Sequence, residues 1–146
     1  MESMLEKLRK VNDICFFVND FKGSMDFFVE KFGFVVKRLQ PTPETANYAE
    51  FDFQGTTVTM WAKSGVLTVL DEKYLGGEGH NYMIAIKVDS IESVDKIHEE
   101  LTRRGVVCIS QPQIYPFGSK AAYYQDYERN IWEVFAWVEG NGPGLL

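Results

Sequence analysis

Few side chains in this chain could do chemistry, and most of them lie in alternating, strand-like segments. There are two histidines, His80 and His98, and two cysteines, Cys15 and Cys108. Placed as they are, the two histidines cannot build a Ser–His–Asp relay. His98 precedes Glu99 and Glu100 on a helical stretch and reads as a surface residue. Cys15 would need a histidine, a cation or a helix N-terminus beside it to act as a nucleophile, and no partner is evident, so packing is its expected role. Glu133 is different, because it shares a strand face with Phe135 and Trp137. A lone carboxylate inside a cupped sheet must be solvated, paired or neutral. Lys87 could pair with it. Alternatively Glu133 anchors a ligand, and Trp61, Phe17, Phe135 and Trp137 supply stacking faces that suit a flat cationic molecule. The same aromatics could instead fill the core or the contact between two halves of the chain.

The elements that must position these groups occur twice. Asp13-Ile14-Cys15-Phe16-Phe17-Val18 aligns with Met83-Ile84-Ala85-Ile86-Lys87-Val88. An acidic turn and a helix follow each strand, and the helices stop at Gly33 and Gly105. A repeat of this length is a whole supersecondary unit, and two like half-sheets create a cleft. In the first unit, residues 12–18 read as strand, 21–32 as helix and 34–39 as strand. Pro41-Thr42-Pro43 makes a loop, and 47–53 with 56–62 form a hairpin around Gln54-Gly55. In the second unit, 82–88 is strand and 90–104 helix, with Ile91, Val94, Ile97 and Leu101 inward. Residues 106–110 are strand, Pro112–Gly118 loop, and 119–126 with 130–138 a final hairpin. The organisation is therefore an N-terminal helix (1–10, amphipathic over residues 2–9), a first unit (11–63), a link that could act as a lid (64–81), a second unit (82–138) and a mobile tail (139–146). Within the link Val66–Tyr74 could form a short helix. Gly76-Gly77-Glu78-Gly79 lacks the flanking strand, helix and Lys-Ser/Thr of a phosphate loop.

The 146 residues suffice for one domain or two small fused halves. A hydrophobic content of 45% and a charged content of 25% fit an ordinary globular chain. The net charge of −6 argues against a nucleic-acid surface, which needs a basic face. No leader-like segment and no 18-residue apolar run is read, so a soluble, cytoplasmic, reduced protein without a membrane partner or a disulfide is expected.

The order βαβββ–βαβββ and several motifs resemble the vicinal oxygen chelate superfamily, which includes glyoxalase I, extradiol dioxygenases, fosfomycin-resistance enzymes and bleomycin-resistance proteins. The resemblance covers roughly residues 11–138. It rests most on Pro116-Phe117-Gly118, then Ala122-Tyr123-Tyr124-Gln125-Asp126 and Asn130-Ile131-Trp132-Glu133-Val134. It rests next on Phe17-Val18-Asn19-Asp20, Ser24, Phe27-Phe28 and Gly33-Phe34. The family's Asp-Pro-Asp-Gly-Asn turn is here Asp126-Tyr127-Glu128-Arg129-Asn130, with Arg129 where glycine would allow a positive φ. Either Asn130 takes that conformation or the turn differs.

The resemblance implies an α+β fold of two tandem βαβββ units forming a cupped mixed sheet, and a homodimer with cups at the interface. It places the site on cup-facing strand residues. With Ile14, Phe16 and Val18 under the helix, Asp13, Cys15 and Phe17 face the cup. Met83, Ala85 and Lys87 do so in the fifth strand, Thr57, Thr59 and Trp61 in the fourth, and Ile131, Glu133, Phe135 and Trp137 in the last. The family's metal-ligand slots then hold Asp13, Thr59, Met83 and Glu133. Only Glu133 matches the usual His, Glu or Gln pattern, and Met83 is a soft ligand unsuited to the divalent ions the superfamily uses. Zinc wants three or four N, S or carboxylate donors. No cofactor is therefore expected, and a divalent metal would need the set Asp13, His80 and Glu133. The leading expectation is a metal-independent protein that binds a small, flat, cationic molecule through Glu133, Trp61, Phe17, Asp13, Thr59, Met83, Phe135 and Trp137. Two rivals stay open: a metal-dependent lyase or isomerase resembling glyoxalase I, and a non-catalytic binding or regulatory domain.

Overall fold

A computed structural model describes residues 4–7, 9, 11–75, 82–116 and 118–139. The first unit is β1 (Asp13–Val18), α1 (Phe21–Glu30), β2 (Val36–Gln40), β3 (Tyr48–Phe51) and β4 (Thr57–Ala62). A short α2 (Lys63–Val66) and a 3-10 turn at Glu72–Tyr74 follow. The second unit is β5 (Met83–Lys87), α3 (Ile91–Arg103), β6 (Val107–Ile114), β7 (Ser119–Gln125) and β8 (Ile131–Trp137). The fold is α+β, with two four-stranded mixed sheets ordered β1-β4-β3-β2 and β5-β8-β7-β6. In each, the first strand runs parallel to the last and the other pairs are antiparallel.

Local chemistry explains the helix limits. The Asp20 carboxylate accepts from Gly23 N at 2.9 Å and the Ser90 hydroxyl from Ser93 N at 3.1 Å, so both helices start on capped amides. At the end of α3, Gly105 takes φ +81°, Gly105 N donates to Thr102 O and Val106 N to Leu101 O. That is a Schellman closure, which a left-handed residue makes possible.

The alternation read from the sequence holds in both sheets except at the start of β1, where Ile14, expected under the helix, is 45% exposed at the strand's open end. Phe16, Val18, Val58 and Met60 are buried under the helices, as are Trp132, Val134 and Ala136, while Asp13, Cys15, Phe17, Glu133, Phe135 and Trp137 are half-buried on the other face. Phe28 of α1 contacts Phe51 of the first sheet (ring centroids 5.5 Å apart) and Trp132 of the second (5.3 Å). Trp132 also meets Phe16, Phe32 and Phe34. The helix sides of the two sheets thus share one aromatic core, and the cup faces lie on the opposite sides.

The turn Asp126–Asn130 fastens the units together. Buried Asp126 accepts from Trp132 Nε1 at 2.9 Å and from the amides of Glu128 and Asn130. Glu128 in turn accepts from the backbone amides of Asn19 (2.9 Å) and Asp20 (2.6 Å), where β1 leads into α1. The left-handed residue of this turn is Arg129 itself (φ 70°), not Asn130.

Three further expectations are corrected. Residues 4–7 form a single 3-10 turn with Met4 and Leu5 69% and 70% exposed, since four residues cannot bury a face as an amphipathic helix would. Of the helix expected over Val66–Tyr74 only the 3-10 turn at Glu72–Tyr74 forms, and α2 has already ended at Val66. Strand β6 continues through Pro112 to Ile114, where a loop was expected. It lies at the sheet edge and its register shifts between Ser110 and Gln113, two circumstances that let a strand accept proline. The segment 76–81 and the tail 140–146 lie outside the described residues.

Candidate functional site

Cross-strand register sets the cup face of the first unit. Arg38, Glu50, Thr59 and Cys15 form one row across the sheet, and Gln40, Tyr48, Trp61 and Phe17 the next. Thr59, 1% exposed, donates its hydroxyl to Asp13 Oδ2 at 3.1 Å. Glu50 accepts from Tyr48 Oη at 3.2 Å and pairs with Arg38 Nε at 3.3 Å. Burial, followed by the Glu50 charge, pushes the Tyr48 phenol up to about 12. Burial also raises the Cys15 thiol, with Asp13 adding to it against a bond to Thr59. A raised thiol is protonated at neutral pH, which fits packing rather than nucleophilic attack.

Beside these rows lies an open cleft of about 610 Å³ lined by residues that include Tyr48, Trp61, Asn47 and Gly65. The Tyr48 and Trp61 rings meet edge to face, 6.4 Å apart. Gly65 of α2 presses against this aromatic wall, and a Cβ there would collide with Trp61 Nε1 and Asn47. The first turn of the interunit link therefore shapes the cleft.

On the second unit's cup face, Ser110, Tyr123, Glu133 and Ala85 form the row equivalent to Arg38, Glu50, Thr59 and Cys15. Tyr123 donates to Glu133 Oε2 at 2.8 Å. Burial, then the Glu133 carboxylate, pushes Tyr123 up to about 12. Tyr115 packs on Tyr123, and Phe135 on Trp137 with ring centroids 5.5 Å apart. Trp137 Nε1 and Ser119 Oγ, on residues paired across β7 and β8, are buried without a hydrogen-bond partner among the described residues.

The structure brings Asp13, Thr59, Trp61 and Phe17 together on one face, and Glu133, Phe135, Trp137 and Met83 on the other unit's face. No hydrogen bond or ring contact joins the two sets among the described residues. Lys87 forms no ion pair with Glu133. It stands opposite Phe135 on β8, and the bond to Glu133 comes from Tyr123 on the other side of that strand. His98 is half-buried rather than a free surface residue, with Nδ1 2.9 Å from the hydroxyl of fully buried Tyr124 on the helix side of the sheet. Tyr48, Glu50, Arg38 and Tyr123 were missed by sequence reasoning. The signal was present in the third strand of each unit, where Tyr48 and Glu50 flank buried Ala49 and Tyr123 lies between buried Ala122 and Tyr124.

No group of three or more His, Cys, Asp or Glu side chains among the described residues could hold a metal ion. Asp13 is engaged by Thr59, Glu133 by Tyr123, and Met83 is a soft donor. These residues do not fit a divalent site within one chain. His80 lies outside the described residues, so the set Asp13, His80 and Glu133 has no geometry here.

A family model described as the Glyoxalase/Bleomycin resistance protein/Dioxygenase superfamily matches residues 10–134. The chain belongs to this superfamily. Over 130 residues it is 28% identical to the uncharacterized protein YraH of Bacillus subtilis (strain 168), covering 86% of this chain and 97% of that one. A glyoxalase/bleomycin resistance protein/dioxygenase from Nocardioides superposes with a TM-score of 0.76 at 26% identity, covering 94% of this chain and 89% of the other. A glyoxalase/bleomycin resistance protein/dioxygenase family enzyme from Burkholderia phytofirmans PsJN gives 0.77 at 18% identity, covering 89% and 100%, a likeness of fold alone. Superfamily membership accounts for the paired βαβββ units. It does not name a reaction, since one fold carries many chemistries. No helix among the described residues is long and apolar enough to cross a membrane.

Proposed function

We propose that this glyoxalase/bleomycin-resistance superfamily member binds a small, flat, cationic aromatic molecule in its cup and needs no metal to do so. The observation that carries the reading is the Trp61–Tyr48 cleft with the Glu50 carboxylate bonded to its tyrosine wall. Aromatic faces stack a planar ring and attract a cation, and the Glu50 carboxylate, shared by Tyr48 and Arg38 just beyond the cleft lining, adds to that preference. The second unit offers a related surface in Glu133, Phe135 and Trp137. We propose further that two copies pair, setting the Glu133 face of one chain against the Asp13 face of the other. The edge position of β1 and β5 supports this, as does Met83, a cup-facing residue of β5 that is 48% exposed.

The test is thermal melting of chelator-treated protein with 9-aminoacridine, cationic at neutral pH, against neutral acridone. A cup binder raises Tm with the cation and not with acridone, because a ligand that binds only the folded state stabilises it. Trp61→Ala and Glu50→Gln should each remove most of that rise. No shift with the cation, or a shift that requires about one metal ion per chain, sinks the reading; the latter result turns attention to a glyoxalase-type reaction at Glu133. Sedimentation equilibrium gives the number of copies.

A further inference from the structure

A second cleft lies on the helix side of the sheets, away from the cup. It measures about 390 Å³ and opens between the segment that follows α1, helix α3 and strands β5 and β8. Its walls are apolar, with Phe34 from the first unit and Val88, Ile97 and Trp132 from the second. At its rim stand Lys31, which ends α1, and Lys96 and Glu100 on α3. The charges are unequal. Glu100 is already held by Arg104 at 3.1 Å. Lys96 is exposed and has no ion pair among the described residues. Lys31 also has no ion pair among the described residues and lies over the face of Phe27, 5.7 Å from its centroid. In a chain of net charge −6 the rim of this cleft is a local cationic spot over an apolar floor.

An apolar cleft of a few hundred Å³ with a few convergent polar groups is the ordinary form of a small-molecule site. The chemistry here selects its occupant. The body must be apolar, because the described walls offer no free hydrogen-bonding side chain, Trp132 Nε1 being given to Asp126. The head must be anionic, because two ammonium groups sit at the mouth and the one carboxylate there is already paired. We propose that this interunit cleft is a second ligand site, distinct from the cup, that takes a small apolar monocarboxylate, its chain or ring against Trp132 and Val88 and its carboxylate between Lys31 and Lys96. Such a ligand would touch both units at once, so its binding would tighten their shared core.

Decanoate is the probe, measured by calorimetric titration beside decanol and decyltrimethylammonium, which keep the body and change the head. Decanoate should bind, and the other two at least tenfold more weakly. The double variant Lys31→Glu, Lys96→Glu should cost decanoate at least tenfold, the scale of lost charge-assisted hydrogen bonds. Val88→Phe should block the cleft; should it lower the Tm of the free protein, the lysine reversal decides alone. Trp61→Ala, which alters the cup, should leave decanoate binding unchanged. The proposal is overturned if decanol binds as well as decanoate, if the lysine reversal has no effect, or if Trp61→Ala abolishes binding and so moves the probe to the cup. It is also overturned if decanoate binds by separating a dimer, which would make the cleft a contact between copies.

Discussion

At the same cross-strand position, the two units place their carboxylates on different strands. The first unit has Glu50 on β3 opposite Thr59 on β4, and the second has Tyr123 on β7 opposite Glu133 on β8. Each carboxylate is bonded by a tyrosine, but by different routes. Tyr48 reaches Glu50 along its own strand at 3.2 Å, whereas Tyr123 reaches Glu133 directly opposite on the neighbouring strand at 2.8 Å. Glu50 has a second partner in Arg38, while Glu133 has none beyond Tyr123 among the described residues. The lesson is that a duplicated scaffold preserves the place where an acid is needed better than the strand that supplies it. Glu133 is the less neutralised of the two, and is thus the freer to meet a ligand.

The strongest way to break the comparison is to cut the core that makes two units one molecule. Trp132→Ala removes a 1%-exposed indole from contact with Phe16, Phe28, Phe32 and Phe34, and should cost about 3–5 kcal/mol. Urea unfolding should show both halves losing structure together; separate transitions would mean the units are independent. Glu128→Ala releases the amides of Asn19 and Asp20 and should cost about 1–3 kcal/mol by the same assay. A loss within about 0.3 kcal/mol would show that the turn rests on the first unit without holding it.

The hairpin turns sharpen the contrast. Gly55 holds φ +87° between β3 and β4, and Arg129 holds φ +70° between β7 and β8. Gly55→Ala should cost about 1 kcal/mol, while Arg129→Gly should return about 0.5 kcal/mol by relieving a left-handed side-chain-bearing residue. The smallest effect is spectroscopic. Tyr48 and Tyr123 both sit near 12, above the ordinary value of 10, and burial is the larger cause in each. Phenolate absorbance should show Glu50→Gln lowering only Tyr48 and Glu133→Gln lowering only Tyr123, each stopping above 10. The sign for folding follows: a phenol raised in the folded state stabilises fully below pH 10 and loses that contribution as pH climbs through about 12.

Much of this was legible in the chain. The repeat, the helix stops at Gly33 and Gly105, and the inward residues of β1, β4, β5 and β8 follow from periodicity alone, since strands alternate at every residue. What escaped depended on neighbours distant in sequence. Lys87 looked like the partner of Glu133 because both face the cup, but only strand pairing shows that Tyr123 stands directly opposite. His98 looked like a surface residue among acids, and its bond to Tyr124 exists only because α3 lies across β7. The turn left open between a left-handed Asn130 and a different shape resolves onto Arg129, because the amides around Asp126 dictate it.

The placement of Trp132 has a consequence during synthesis. Asn19 and Glu128 meet across 109 positions, and Trp132 comes later still. A ribosome therefore completes the whole first unit, in which Phe16, Phe28 and Phe34 pack on one another and on Phe51, before the indole that closes their remaining side has been made. In that interval the ring edges that meet Trp132 lack their partner, and uncovered apolar surface of this kind is what chaperones bind and what aggregates grow from.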